Sequence, residues 1–282
     1  MTTATTAPPM PPPADLAALL ALLQMGRAGI VTDIDGTVAP FALTPDAAVV
    51  TPRARAALVR LLPRLALVAA LTGRRAADGA RLLGIPGLLV VGNHGMETLR
   101  GDTATVEASV LPYVAPTERI LAQLRAGPLP DGTLIEPKGP TASIHYRLAS
   151  DWTAARQALL VALAPLVAAE GLLLTEGKTL FEIRPPVPIH KGHGLRRLVE
   201  DYALDAVLML GDDITDIDAF HALRDLRGAG RVRGANVGVL LADGSTAPAV
   251  IAAADVTVVE VSGVADLLTA LADGLDTASA PT

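Results

Sequence analysis

Asp33 and Asp35 stand two residues apart in Thr32-Asp33-Ile34-Asp35-Gly36-Thr37, just after the apolar run Ala28 to Val31. That run reads as a short buried strand, and Gly36 lets the chain turn sharply behind it. At the carboxyl end of a strand in an open α/β sheet, such a turn faces the crevice where ligands bind. Two acids crowded there repel each other unless a cation or a proton intervenes, so the pair invites Mg²⁺. One carboxylate can then attack a phosphorus while the other handles a proton. Asp-Gly is also a common turn dipeptide, so the pair gains meaning only from its companions.

The companions are three. Gly211-Asp212-Asp213-Ile214-Thr215-Asp216 repeats the logic of strand, turn and carboxylates after the apolar run Ala206 to Leu210. Asp212, first after the strand, is placed to complete an oxygen site for Mg²⁺ with Asp33 and Asp35, and Asp216, one helical turn on, acts through water. Part of this stretch is ordinary helix-start chemistry, with Thr215 as N-cap and Asp216 in the first turn. It is no EF-hand loop, lacking the central Gly and the terminal Glu. Thr72 ends the apolar run Leu65 to Leu71; its hydroxyl and the following amide can bond a phosphoryl oxygen, or simply cap a helix. Lys191, in His190-Lys191-Gly192, precedes a helix and can neutralise charge between nucleophile and phosphate; the plain alternative is a surface lysine. His190 and His193 find no partner at zinc-site spacing.

The elements that must position these residues alternate as strand and helix. Pro52 to Leu62 reads as a helix with Thr51 as N-cap, Arg75 to Leu83 as another, and Leu88 to Val91 as a third buried strand. Continuous apolar strands separated by helices predict an α/β fold, a Rossmann-like doubly wound parallel sheet. The middle of the chain differs. In Thr141 to Leu148, Ser143, His145 and Arg147 alternate with Ile144, Tyr146 and Leu148. In Lys178 to Arg184, Lys178, Glu182 and Arg184 oppose Thr179, Phe181 and Ile183. A helix over Trp152 to Glu170, interrupted or bent at Pro165, lies between. This predicts an inserted α+β cap domain with an exposed polar sheet face. Leu195 to Tyr202 is then helical, and Val237 to Leu241 and Val256 to Val259 supply the last strands. The expected division is 1–14 a disordered leader, 15–106 core, 107–186 cap, 187–275 core and 276–282 a disordered tail.

Composition narrows the class. The 282 residues are 51% apolar with only three Phe, three Tyr and one Trp, so Ala, Val, Leu and Ile must build the core. A net charge of −6 and scattered basic residues argue against a nucleic-acid partner, and the cluster Arg224 to Arg233 reads as a solvated helix end. The run Leu16 to Met25 is too short to span a membrane. With no cysteine there is neither disulfide nor thiolate site, which fits a reducing compartment, and a cytoplasmic location is expected. Oligomeric state is not legible.

Taken in order, Asp33-x-Asp35, Thr72, Lys191 and the Asp212/Asp216 cluster resemble the four motifs of the haloacid-dehalogenase-like phosphatase superfamily. The insertion between the second and third resembles its larger α/β cap. Within that superfamily the chain resembles the trehalose-6-phosphate phosphatase family. The likeness rests on Gly92-Asn93-His94-Gly95-Met96-Glu97, Glu136-Pro137-Lys138-Gly139 with His145-Tyr146-Arg147, Gly177-Lys178 with Glu182-Ile183-Arg184-Pro185, and the two motifs around Lys191 and Asp212. It runs from about Ile30 to Leu271 and departs at Ile34, where the family usually has an aromatic.

The resemblance implies a Mg²⁺-dependent phosphatase acting on a small sugar phosphate, trehalose 6-phosphate. Asp33 is then the nucleophile, Asp35 the general acid and base, and Thr72 and Lys191 the stabilisers of phosphoryl charge. Asp33, Asp35, Asp212 and Asp216 form the metal set. Arg74 and His94, with Glu136, Lys138, Arg147, Lys178 and Glu182 of the cap, bind substrate. The same residues also suit a phosphatase for sucrose phosphate or a glycosyl-phosphoglycerate, or a non-catalytic sugar-phosphate binding module. An intact nucleophile and acid speak against the last.

Overall fold

Strands β1 (Ala28–Thr32), β2 (Leu67–Leu71) and β3 (Leu89–Gly92) are buried along their whole length in the computed structural model, which describes residues 12–242 and 244–278. They pair in parallel and are followed by an antiparallel hairpin, β4 (Glu97–Arg100) and β5 (Thr103–Val106). Helices α1 (Pro13–Leu23), α2 (Pro52–Leu61) and α3 (Ala76–Leu83) belong to the same unit. Thr51 caps α2 by accepting the Ala54 amide, with Pro52 at the first helical position. The leader expected over 1–14 needs correction at its end. Residues 1–11 lie outside the described residues, but Pro13 and Ala14 already belong to α1, where proline and Asp15 suit a helix start.

Residues Val106–Pro188 form a second compact unit. It contains α4 (Val114–Ala126), β6 (Leu134–Pro137), β7 (Ala142–His145), α5 (Trp152–Ala169), β8 (Leu173–Gly177) and β9 (Leu180–Arg184). The four strands are antiparallel in the order β6-β7-β9-β8. Ile135, Ile144 and Phe181 stand in register on one face, against Ile120 and Leu124 of α4 and Leu159 and Leu163 of α5. The opposite row, Glu136, Ser143 and Glu182, is also in register.

Three expectations for this unit need correction. The polar face is not an exposed one: Lys138, Ser143, His145 and Glu182 are all buried. Helix α5 is continuous through Pro165, because its packing stripe is Ala155, Leu159, Leu163 and Val167 while Pro165 lies on the exposed side. There water can solvate the carbonyl that proline leaves without a donor. Lys178 is not on a strand. It is exposed in the two-residue turn between β8 and β9, beside Thr179 at φ +58°. Helix α5 is long and apolar enough by composition to cross a membrane, yet its stripe packs into the core just described.

From Ile189 the chain returns to the first unit with α6 (Lys191–Asp201), β10 (Ala206–Gly211), α7 (Ile214–Gly228), β11 (Arg233–Leu240), α8 (Pro248–Ala253), β12 (Val256–Val259) and α9 (Glu260–Ala278). The full sheet runs β12-β11-β10-β1-β2-β3-β4-β5, parallel from β12 to β3. One face meets α1, α2 and α9 through Leu19, Leu58 and Leu268, and the other meets α6, α7 and α8 through Leu195, Phe220 and Val250. This is the doubly wound α/β sheet the apolar strands predicted. The tail expected from Asp276 is corrected as well. Helix α9 runs to Ala278, and Asp276 accepts hydrogen bonds or ion pairs from Arg60 and Arg64; residues 279–282 lie outside the described residues.

Candidate active site

The strand order reverses between β1 and β10, and both strands end in carboxylates there. Thr32 pairs with Leu210, so Asp33 and Asp212 emerge side by side at the carboxyl ends of neighbouring strands, 179 positions apart in sequence. The Asp33 amide donates to the Leu210 carbonyl at 2.9 Å, fixing the exit of the chain. Gly36 then turns at φ +82°, and a Cβ at that position would collide with the Asp212 carboxylate. Thr37 Oγ1 donates to Asp212 Oδ1 at 2.8 Å and holds that carboxylate in place.

Asp33, Asp212 and Asp216 bring one oxygen each to within 4.8 Å of one another, and all three are buried. Lys191, the first residue of α6 and 2% exposed, reaches into the same place. Its Nζ lies 2.8 Å from Asp216 Oδ1 and 3.1 Å from Asp33 Oδ1. Asp216 Oδ2 accepts the amides of Asp212 and Asp213 at 3.1 Å each, so both oxygens of Asp216 are engaged by protein donors. The N-cap of α7 is Asp213, not Thr215 as the sequence suggested, because the helix already begins at Ile214.

Electrostatics follows from this crowding. Burial pushes the Asp33 carboxyl up from 3.8 to about 8; Lys191 opposes that shift, and Asp216 and Asp35 add to it. Burial, then Asp33 and Asp216, likewise raise Asp212 well above the carboxylate range. Burial works against the Lys191 charge, but Asp216 and Asp33 outweigh it and hold its pKa above the usual value. Asp33 Oδ1 is buried and accepts no hydrogen bond. A buried oxygen of this kind, in a set of oxygen-only donors carrying one cation among three acids, fits a hard divalent metal.

Asp35 lies outside that trio. Its carboxylate receives a two-pronged pair from Arg74, Nε to Oδ2 at 2.6 Å and Nη2 to Oδ1 at 2.8 Å. Arg74 Nη1 also donates to the Pro45 carbonyl at 2.9 Å. Arg74, expected on substrate, therefore holds the expected general acid. Thr72 is buried at the end of β2, with its hydroxyl accepting the Arg74 amide at 3.2 Å. The turn Asn93–Gly95 is laced to this segment: Asn93 N donates to Arg74 O at 2.6 Å and His94 N to Thr72 O at 2.9 Å. His94 sits at φ +57°, and its ring fills the space a side chain at Gly73 would need.

In the second unit Glu136, Lys138, His145 and Arg147 form a cluster of their own. Arg147 Nη2 donates to His145 Nδ1 at 2.9 Å, and His145 Nε2 lies 2.8 Å from Glu136 Oε2. Arginine only donates, so the His145 proton resides on Nε2 and points at Glu136. Lys138 Nζ lies 3.8 Å from the same Glu136 oxygen, and Arg184 Nη1 lies 3.9 Å from Glu182 Oε2. Glu182 stands in the register row with Glu136; Lys178 stands apart from it, in the β8–β9 turn. Two residues of these sites escaped the sequence reading, Thr37 and His145. Thr37 followed Gly36 within the quoted motif, and His145 already shared the alternation of Ser143 and Arg147.

The chain is similar in sequence to known proteins. The family described as Trehalose-phosphatase matches residues 31–250. A trehalose-phosphate phosphatase of Mycobacterium marinum is 35% identical over 209 residues, which are 71% of this chain and 53% of that protein. One of Mycobacterium avium is 36% identical over 205 residues, 68% of this chain and 50% of that protein. The chain thus spans about half the length of the curated relatives it matches. In fold it is similar to the C-terminal domain of Candida albicans trehalose-6-phosphate phosphatase (TM-score 0.72, 23% identity, 95% of this chain and 99% of that one). It is also similar to the Aspergillus fumigatus trehalose-6-phosphate phosphatase (TM-score 0.59, 26% identity, 94% and 99%).

Proposed function

The chain belongs to the trehalose-phosphatase family, and from that premise we propose that it hydrolyses trehalose 6-phosphate to trehalose and inorganic phosphate through Asp33. The observation that carries the reading is Asp33 itself. It is a buried carboxylate at a strand end, with one oxygen accepting no hydrogen bond and the Lys191 ammonium 3.1 Å from it. A nucleophile needs an oxygen not taken up by backbone or hydroxyl donors, and a phosphoryl group needs a cation beside it.

Asp33 attacks phosphorus in line, the bond from phosphorus to the sugar oxygen breaks, and the phosphoryl group rests on the Asp33 carboxylate. Asp35 gives a proton to the departing sugar oxygen. It then takes one from the water that attacks phosphorus, which breaks the acyl phosphate and returns Asp33 as a carboxylate. The Arg74 fork orients Asp35 for both transfers. Lys191 and the Thr72 hydroxyl meet charge on the phosphoryl oxygens. Mg²⁺ held by Asp33 and Asp212, with Asp216 behind them, would supply positive charge that keeps Asp33 ionised and offsets the phosphate. Asp216 meanwhile positions Lys191 and the turn at Asp212.

Recognition of the sugar belongs in this reading to Glu136, Lys138, Arg147 and Glu182, with Lys178 and His94 as further contacts. A disaccharide offers many hydroxyls, and a face of paired acids and bases can both donate to them and accept from them. The test is phosphate release from a panel of sugar phosphates with and without Mg²⁺. Trehalose 6-phosphate should be hydrolysed with the highest kcat/KM and only with the metal. A higher value on sucrose phosphate or a glycosyl-phosphoglycerate would overturn the substrate, and no release from any would overturn the enzyme.

A further inference from the structure

Glu97, at the start of β4, accepts the Ala76 amide on its Oε1 at 2.5 Å. Ala76 opens α3, and the residue at the N-cap position, Arg75, makes no side-chain capping bond of its own. A helix leaves its first amides without internal partners, and a carboxylate placed there also meets the favourable end of the helix dipole. Glu97 therefore caps α3 from a neighbouring strand. A glycine makes the reach possible. Gly92 stands in register with Glu97 across the β3–β4 hairpin, and a Cβ on it would collide with the Ala76 amide and the Arg74 carbonyl.

This cap is the last of three ties between residues 72–76 and the hairpin turn. His94 N donates to Thr72 O at 2.9 Å, Asn93 N to Arg74 O at 2.6 Å, and Ala76 N to Glu97. The ties fall on every second residue, with Arg74 as the middle one, and of the three only the last uses a side chain. Asn93 and His94 sit at φ +51° and +57°, backbone that residues with a Cβ adopt at a cost, so the turn keeps its shape through these ties. The far end of Arg74 is the guanidinium fork on Asp35.

We propose that Glu97 is a positioning residue for proton transfer to the leaving group. By anchoring Ala76 it fixes the Arg74 backbone, and through Arg74 the orientation of Asp35. Asp35 protonates the departing sugar oxygen in the phosphatase reading on which this rests. A sugar alkoxide is far more basic than an aryl oxide, so a misaligned acid slows the sugar phosphate and leaves an aryl phosphate comparatively untouched. A cap that merely stabilised α3 would show no such preference between leaving groups.

Steady-state kinetics at saturating Mg²⁺ test this on an aryl phosphate and on trehalose 6-phosphate, or whichever sugar phosphate of the panel is hydrolysed fastest. Glu97→Ala should lower kcat on the sugar phosphate roughly tenfold or more, with KM little changed, and kcat on the aryl phosphate less than about threefold. Glu97→Gln, whose amide oxygen can still accept the Ala76 N–H, should keep most of the activity. Glu97→Asp keeps the charge but is one methylene short, so it should share the substrate-dependent loss; it carries the test if the alanine variant does not fold. In the Arg74→Lys/Glu97→Ala double variant the losses should not multiply, because both act through one fork. Equal losses on the two substrates, multiplying losses, a glutamine variant as slow as the alanine one, or no loss at all would each overturn the positioning role alone. A wild type that releases phosphate from no sugar phosphate would overturn the phosphatase reading and the positioning role together.

Discussion

Replacing Lys191 by methionine isolates the charge balance of the acidic trio, because the side chain keeps its length and loses only its ammonium. Nζ lies 2.8 Å from Asp216 and 3.1 Å from Asp33, and at an effective dielectric near 20 these separations correspond to about 6 and about 5 kcal/mol of attraction. Against this stands the cost of burying the ammonium, so removing it should cost the fold about 3–5 kcal/mol, the usual penalty for breaking a buried pair. The loss should depend on pH in a definite direction. In the metal-free protein Asp33 ionises at about 8 when folded and near 3.8 when unfolded. The folded state therefore holds a proton that the unfolded chain has released, and stability falls as pH rises through that window. Without Lys191 the folded carboxyl rises further, so the deficit should be largest above pH 8 and smaller near pH 5.5. Urea unfolding in EDTA at the two pH values, wild type against Lys191→Met, measures it. A deficit below about 1 kcal/mol, or one equal at both pH values, would refute the idea that this lysine balances buried charge.

Asp33→Asn should abolish turnover, yet raise the melting temperature in EDTA at pH 8, since it removes one of three crowded acids; retained turnover in purified folded variant would sink the mechanism. Mg²⁺ should restore activity after EDTA and raise the wild-type melting temperature, and Asp212→Asn should lose both responses; a normal thermal shift in that variant would remove Asp212 from the metal set. Arg74→Lys, which cannot reproduce the fork on Asp35, should lower kcat on trehalose 6-phosphate more than on an aryl phosphate, whose leaving group needs less protonation; equal losses would give Arg74 a role in binding or folding instead. Glu182→Ala should lower kcat/KM on trehalose 6-phosphate by roughly ten- to a hundredfold and spare the aryl phosphate, whereas Lys178→Ala, at an exposed turn, should cost less. The reverse ranking would show that Lys178 and not Glu182 grips the sugar.

The strands were legible where burial is total. Ile30, Val68, Val90 and Leu208 lie in uninterrupted apolar runs because helices cover both faces, and the polar residue that ends each run marks the ligand crevice. That is why Asp33, Thr72 and Asp212 could be singled out together. What failed depends on contacts between distant positions. The spacing of Asp33 and Asp35 cannot say that a guanidinium 39 residues away pairs with the Asp35 carboxylate. Nor does spacing reveal that Thr37 reaches Asp212 across 175 residues. Lys178 misled because the alternation of β9 runs back without a break into a turn that has no Gly or Asn at its positive φ. Strands β5 and β8 were invisible for the opposite reason: they are short and largely exposed, so burial writes little pattern into them.

The sheet order also sets a timetable for biosynthesis. Strand β1 sits between β2 and β10, but β2 leaves the ribosome within a few dozen residues and β10 only after Ala206. At ordinary elongation rates, the interval from Thr32 to Ala206 lasts roughly 10–35 s. Throughout it, one edge of an apolar central strand has no native partner, a surface open to pairing with other nascent chains. The second unit, Val106–Pro188, is synthesised entirely within that gap. The carboxylates of Asp33 and Asp212 therefore come side by side only after β10 has been made and docks on β1.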